Sequence, residues 1–242
     1  MASDPLRWEH RPALLIGVTA TAGWLDALSF LYLGKIFTSF MTGNLLFVGI
    51  GAGTDDGGLI GRAVVALAAF LIGSVAGARL TGSRLTADGP HAGMTRTLVL
   101  EAVLLAVFAV LWLIAGTPAD HELMLHVLIA LGALAMGLQV AIALALRLPN
   151  MPTVAMTGTI AQLGALLGWK EREGRGVVAE TPSASLMIAF ILTYLIAAVI
   201  VSTIPFTAAL ALGPVVLLGV TLLVDRSAPL AGRTAPGAAP SA

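Results

Sequence analysis

Residues 13–34 read ALLIGVTATAGWLDALSFLYLG, a run in which Asp26 is the only charged side chain. About 20 apolar residues in a helix cross the ~30 Å hydrocarbon core of a bilayer, so this stretch predicts a transmembrane helix. A carboxylate at the centre of such a helix costs roughly 2.5–3.5 kcal/mol on insertion scales. We therefore expect Asp26 to face other helices or a water-filled cavity and to have a polar partner.

The rest of the chain has the same character. Of its 242 residues, 58% are hydrophobic and 11% are charged, whereas a soluble domain carries roughly 25% charged residues. Two further stretches are apolar but shorter and contain Thr-Gly: IFTSFMTGNLLFVGIGAG (36–53) and PTVAMTGTIAQLGALLGW (152–169). The candidate spans are 13–34, 59–80, 97–116, 123–146, 184–204 and 205–224.

Lysine and arginine, which concentrate in short cytoplasmic loops, distinguish two topologies. If both short stretches re-enter the membrane without crossing it, 11 of the 13 Lys and Arg residues lie on the side of the N-terminus, and only Lys35 and Arg62 lie opposite. If both stretches cross, the partition falls to 8 against 5. The sequence therefore predicts an all-α integral membrane protein with about six transmembrane helices, two broken or re-entrant segments and cytoplasmic termini.

The two short stretches also indicate an internal repeat. Met41-Thr42-Gly43 recurs as Met156-Thr157-Gly158, and each copy follows one long helix and precedes two more. Three true spans per half is an odd number, so the second half enters the membrane from the opposite side, as in inverted-topology repeats. The predicted organisation is a cytoplasmic N-terminus (1–12), a first membrane repeat (13–116), a second (117–224) and a disordered, Ala/Pro-rich cytoplasmic tail (225–242).

The Thr-Gly segments are candidates for a substrate or ion site, together with Asp26. A helix that starts inside the membrane exposes unpaired N–H groups and a positive dipole end. Glycine permits close approach of a ligand to the backbone, and threonine can cap the helix start. In the second half Gln139 takes the place of the acid. The candidate binding residues are Asp26, Thr42, Gly43, Asn44, Gln139, Thr157, Gly158 and Thr159; packing and scaffold roles remain open for each.

Two other charged residues fall inside predicted spans. Glu101 lies about one turn into the third span and Arg62 near the start of the second. Long side chains at such depths can reach the interface, so we expect both to be boundary residues. Pairing of either one with Asp26 is the alternative.

Gly23-Trp24-Leu25-Asp26-Ala27 and Phe40-Met41-Thr42-Gly43-Asn44 resemble the G-x-x-D-A and F-M-T-G-N motifs of the YoaK-like family of bacterial membrane proteins. The resemblance extends over roughly residues 14–224. It implies about six helices and an inner-membrane location, and it implies that Asp26, Thr42, Gly43 and Asn44 are shared positions. It implies no activity.

Several functional classes are disfavoured. The equal numbers of basic and acidic residues give no footprint for nucleic acid, and the absence of cysteine together with the spacing of the four histidines suggests no metal site or cofactor. An isolated acid is a poor catalytic set, so we expect no enzymatic activity. The sequence favours a transporter of a small solute in the lipid bilayer. A non-transporting module that binds a lipid or a partner protein is the alternative, and homo-oligomerisation is left open.

Overall fold

The computed structural model describes residues 12–81, 90–116, 121–145, 156–168 and 184–227, and every regular element in these ranges is an α-helix. The all-helical prediction is confirmed. The elements are α1 (Pro12–Tyr32), α2 (Met41–Thr54), α3 (Gly57–Thr81), α4 (Pro90–Ala115), α5 (Glu122–Ala145), α6 (Met156–Gly168), α7 (Ala184–Thr203) and α8 (Phe206–Ser227).

Each predicted span or short stretch corresponds to one of these helices. The largest difference is at α4, which begins at Pro90, seven residues before the predicted start of that span. Helix α8 continues to Ser227, beyond the predicted boundary at residue 224. The described residues do not include residues 1–11 and 228–242, which form most of the two predicted terminal segments.

The outer surface of the described helices is apolar. Four helical stretches are long and hydrophobic enough to cross a bilayer: Gly57–Thr81, Gly93–Ala115, Glu122–Leu144 and Ser185–Thr203. About a quarter of each stretch in α3, α4 and α7 is buried, against 67% in α5. Large aliphatic side chains such as Leu113 and Ile114 point away from the protein. Such a surface fits hydrocarbon rather than water, and it makes α5 an inner helix.

Helix packing has the same pattern in the two halves of the chain. If α1–α4 are exchanged with α5–α8, each main contact becomes another main contact or itself. The contact α3–α5 exchanges with α1–α7, α4–α5 with α1–α8, α2–α3 with α6–α7, and α3–α4 with α7–α8. The contacts α1–α5 and α4–α8 each become themselves.

Specific contacts give the directions of the helices. Gly61 of α3 lies against His126 of α5, and Gly77 lies against Leu138, so α3 and α5 run parallel. Gln139 of α5 donates a hydrogen bond from Nε2 to the carbonyl oxygen of Val18 in α1 at 2.9 Å. Near the other end of this contact, Gly132 lies against Leu25. Helices α1 and α5 are therefore antiparallel.

Helix α2 ends on the same side of the bundle as the end of α1. Gly34, which follows α1 with a φ of 75°, lies against the side chain of Arg62 early in α3. The two-residue turn Asp55-Asp56 joins α2 to α3, and Oδ1 of Asp56 accepts a hydrogen bond from the Leu59 N–H. This bond caps the first turn of α3. The start of α3 is thus level with the end of α1, and α2 returns the chain to that level.

Candidate functional site

Asp26 lies in the protein interior, where its side chain is 2% exposed. Oδ1 accepts hydrogen bonds from the backbone N–H groups of Thr38 at 2.8 Å and Ser39 at 2.7 Å, and from the Thr38 hydroxyl at 3.1 Å. Oδ2 accepts from the Ser39 hydroxyl and from the Tyr194 hydroxyl, the latter at 2.7 Å. The expectation that Asp26 has polar partners is therefore met by five donors on three residues.

This arrangement suits an ionised carboxylate. A carboxylate only accepts hydrogen bonds and offers about four lone-pair positions, while backbone N–H groups only donate. The two N–H groups belong to the loop that immediately precedes α2, where the positive end of the helix dipole lies. Asp26 therefore places its carboxyl group at the start of a helix within the bundle and anchors the loop of residues 33–40 against α1.

Asn44 orders the same loop from the other side. Its side-chain Oδ1 accepts from the Phe37 N–H at 3.1 Å, and its Nδ2 donates to the Phe37 carbonyl at 2.6 Å. The ring of Phe37 stacks on Phe30 and Phe47, with centroids 5.2 and 5.9 Å away. A Cβ at Gly43 would overlap the rings of Phe37 and Phe40. Asn44 and Gly43 thus have clear structural roles in the loop.

Tyr194 is the partner of Asp26 that sequence reasoning missed. It lies near the middle of α7 in the second half of the chain, and its hydroxyl reaches Asp26 over a separation of 168 residues. Gly23, one turn before Asp26, lies against the backbone of Tyr194. The available signal was a phenol at the centre of an apolar span, where a buried hydroxyl needs a partner. Asp26 therefore lies between the two halves of the chain.

Residues 14–223 match a family described as a protein of unknown function, DUF1275. The chain belongs to the DUF1275 family. UPF0700 transmembrane protein YoaK of Bacillus subtilis (strain 168) is 33% identical to this chain over 155 residues. These residues make up 64% of this chain and 66% of the Bacillus protein, just under two thirds of its length. No solved structure matches the chain. The resemblance to YoaK-like membrane proteins is confirmed.

The threonines of this DUF1275 chain do not cap the short helices, and that expectation was wrong. Helix α2 begins at Met41, its N-cap is Phe40, and no side chain caps it. Thr42 is exposed. Helix α6 begins at Met156, so Thr157 is its second residue and is also exposed. Each motif threonine is the second residue of its helix, two positions after the N-cap position, and lies too late to act as the N-cap.

The remaining candidates do not all meet at one point. Thr159 is buried, and Gly158 has open space beside it. Gln139 is fully buried, but its side chain donates a hydrogen bond to the carbonyl oxygen of Val18. Val18 lies eight residues before Asp26 in α1. Eight residues correspond to roughly 12 Å along the helix axis. Gln139 therefore lies inside the bundle at a different depth from Asp26, and the two are not hydrogen-bonded.

Glu101 does not lie at the membrane boundary, and that expectation was wrong. Because α4 begins at Pro90, Glu101 lies 11 residues into the helix, about three turns. Its side chain is fully buried, and neither carboxylate oxygen has a hydrogen-bond partner among the described residues. The polar start of α4 hides this depth from a hydropathy pattern, because a helix that begins in the polar region moves every later residue deeper. Within the described residues no cluster of His, Asp and Glu has the spacing of a metal site.

Proposed function

We propose that this DUF1275 protein is a secondary transporter, or permease, for a small solute in the bacterial inner membrane. The observation that carries the proposal is the exchange symmetry of helix packing, combined with the antiparallel directions of α1 and α5. Equivalent helices that run in opposite directions indicate an inverted-topology repeat, and many secondary transporters are built from such repeats. In those folds the substrate and ion sites lie between the repeats near the bilayer midplane.

The proposed topology has six transmembrane helices, α1, α3, α4, α5, α7 and α8, with α2 and α6 re-entrant. The end of α1 and the start of α3 lie at the same level, which supports this assignment for α2. A helix of 14 residues such as α2 is about 21 Å long, shorter than the ~30 Å hydrocarbon core. The excess of Lys and Arg on one side supports cytoplasmic N- and C-termini.

Single cysteines test this topology, because the native chain has none. With an impermeant maleimide added to intact cells, Asp55→Cys and Asp120→Cys are expected to be labelled. His91→Cys and Glu173→Cys are expected to react only after the membrane is permeabilised, because the proposed topology places both positions on the cytoplasmic side. Labelling of His91→Cys in intact cells would contradict the six-helix topology.

The proposed site lies where the loop before α2 meets α1 and α7, and it comprises Asp26 and the motif residues Thr42–Asn44. In the second half we assign Gln139 and Thr157–Thr159 to the site. Alternating access in repeat-based transporters is largely a rocking of one repeat against the other. The hydrogen bond from Tyr194 to Asp26 joins the two halves. We propose that this bond is a latch that breaks when the halves move apart and admit the solute.

Uptake measurements test the function. Metabolite uptake is compared between a deletion strain, an overexpressing strain and strains that carry Tyr194→Phe or Tyr32→Phe. We expect at least one solute to accumulate with expression level and expect Tyr194→Phe to change its transport rate several-fold, because the variant removes only the latch hydroxyl. Tyr32→Phe removes the same group from a side chain that is 39% exposed and serves as the matched control. Uptake that is independent of expression for every solute would favour the non-transporting module that binds a lipid or a partner protein.

A further inference from the structure

Glu101 differs from Asp26 in its surroundings. Both carboxylates are buried, at 0% and 2% exposure. Asp26 accepts hydrogen bonds from five donors, whereas both oxygens of Glu101 lack a partner among the described residues. A carboxylate of this kind inside a membrane bundle is either ionised and unpaired or protonated and neutral.

The helical register shows where the Glu101 side chain points. Trp112 follows Glu101 by 11 residues, which is about three turns, so the two side chains leave α4 in nearly the same direction. The Trp112 ring contacts Tyr32 of α1 and Phe206 of α8, with centroids 6.3 and 5.1 Å away. Contacts connect α1 with α5, α5 with α4, α4 with α8 and α8 with α1. Glu101 therefore points into the interior of a ring of these four helices. The buried residues on its stripe of α4 are Met94, Thr97, Leu98, Leu105, Phe108 and Trp112.

A second unpartnered oxygen lies at a similar depth in this ring. Helices α4 and α5 are consecutive, and Glu101 lies 14 residues before the end of α4 at Ala115. Met136 lies 14 residues after the start of α5 at Glu122, which places Glu101 and Met136 at about the same level. Gln139 lies one turn further along α5. Its Nε2 donates a hydrogen bond to α1, and its buried Oε1 has no partner among the residues that the structure describes. At ~1.5 Å per residue this level is roughly 20 Å from the helix ends, well inside the hydrocarbon core.

Among the described side chains, the helices packed against α4 offer no cation to an ionised Glu101, and Arg96 of α4 itself is exposed. The charged and titratable residues of α3 and α5 with described side chains lie near helix ends and form no salt bridge with Glu101. Burial of an ionised, unpaired carboxylate costs far more free energy than burial of the neutral acid. The neutral form is therefore the one compatible with this packing. The charged and titratable residues of the packed helices are Arg62 and Arg79 of α3 and Glu122 and His126 of α5. Helix α8 contributes Asp225 and Arg226, whose side chains are not described.

We propose that Glu101 is the proton-binding carboxylate of this protein, that it holds a proton in the conformation described, and that Asp26 stays ionised. The proton leaves to water when the ring opens, and the carboxylate takes a proton from water before the ring closes. Coupling of this step to solute movement rests on the function proposed above. The proton site itself does not depend on that function.

Infrared spectroscopy of the full chain in lipid nanodiscs at neutral pH tests the site directly. We expect the wild type to show the carbonyl band of a protonated carboxylic acid and Glu101→Gln to lack it. Glu122→Gln, at an exposed acid of α5, is the matched control and should keep the band. Glu101→Asp should shift the band without removing it, which keeps the test valid if the glutamine variant folds poorly. Absence of the band from the wild type, or its persistence in Glu101→Gln, would overturn the proposal.

Transport assays separate this proposal from the proposed function. Once a solute is known, Glu101→Gln should lose stimulation of uptake by a proton gradient at least tenfold while keeping solute counterflow. Stimulation equal to that of the wild type would overturn the role of Glu101 in coupling. A positive infrared result without uptake of any solute would leave the proton site standing and refute the transporter. If the wild type lacks the acid band and is stabilised by sodium, the site binds a sodium ion instead of a proton. That result would overturn the assignment.

Discussion

Asp26→Leu is expected to prevent accumulation of folded protein. Leucine would leave the N–H groups of Thr38 and Ser39 and three hydroxyl groups without their acceptor in a buried site. Each buried donor that loses its partner costs about 1–3 kcal/mol, and the sum approaches the ~5–15 kcal/mol that stabilises an ordinary protein. The gain from removing a charge from the membrane, roughly 2.5–3.5 kcal/mol, does not offset this loss.

Fluorescence-detected size-exclusion chromatography of tagged variants, with and without heating, measures this effect. Tyr194→Phe removes one of the five donors and should cost only about 1 kcal/mol. Asp26→Asn should fall between the two, because one amide oxygen remains to accept while the NH₂ group faces donors. A folded, heat-stable Asp26→Leu protein would show that the loop of residues 33–40 does not depend on the carboxylate.

Gly73→Leu is expected to separate α3 from α5 and to lower the unfolding temperature by roughly 6–12 °C. A Cβ at Gly73 would overlap the backbone of Leu134, and a Cβ at Gly137 would overlap the backbone of Phe70. Backbone atoms in packed helices cannot move aside as a flexible side chain can. Overpacking typically costs about 1–3 kcal/mol, and each kcal/mol shifts the unfolding temperature of a chain this long by about 2–4 °C. We expect a cost near the upper end of the overpacking range, about 3 kcal/mol.

Gly49→Ala provides the matched control for Gly73→Leu. Gly49 lies in α2, where an added Cβ would meet no atom within 4 Å, and alanine favours helix over glycine by about 1 kcal/mol. Its unfolding temperature, followed by tryptophan fluorescence in nanodiscs, should remain equal to that of the wild type or rise. Equal unfolding temperatures for Gly73→Leu and the wild type would contradict the close contact of α3 with α5.

In the proposed mechanism the two buried acids have different roles. Asp26 binds the loop before α2 and joins α1 to α7 through Tyr194. Its Oδ1 accepts hydrogen bonds from two backbone N–H groups, which only donate, and these bonds favour the charged form. Neither oxygen of Glu101 has a hydrogen-bond partner among the described residues, so its protonation can change without breaking a bond to any of them. A proton-coupled mechanism therefore places the titrating group on α4 and the latch between the halves on α1 and α7.

The sequence alone determined the class of the protein and the order of its helices. Long apolar runs with few charges predict membrane helices because the solvent is uniformly apolar. The bounds of α3, α5 and α7 agree with those runs to within about two residues. The sequence also singled out Asp26 and the Met-Thr-Gly segments, since an acid or a glycine inside an apolar run is visible without any knowledge of its neighbours.

Only the tertiary structure decided what these residues contact. Tyr194 meets Asp26 because α7 packs on α1, and no local pattern specifies which apolar helices pack together when every face is hydrophobic. The depth of Glu101 depended on where α4 begins, and a polar first turn hides that start from a hydropathy pattern. The motif Thr42 looked like a cap, but no side chain caps α2, and the carboxylate of Asp26 binds the loop before it. Hydrogen bonds between distant helices assign these roles, and they exist only after the bundle has formed.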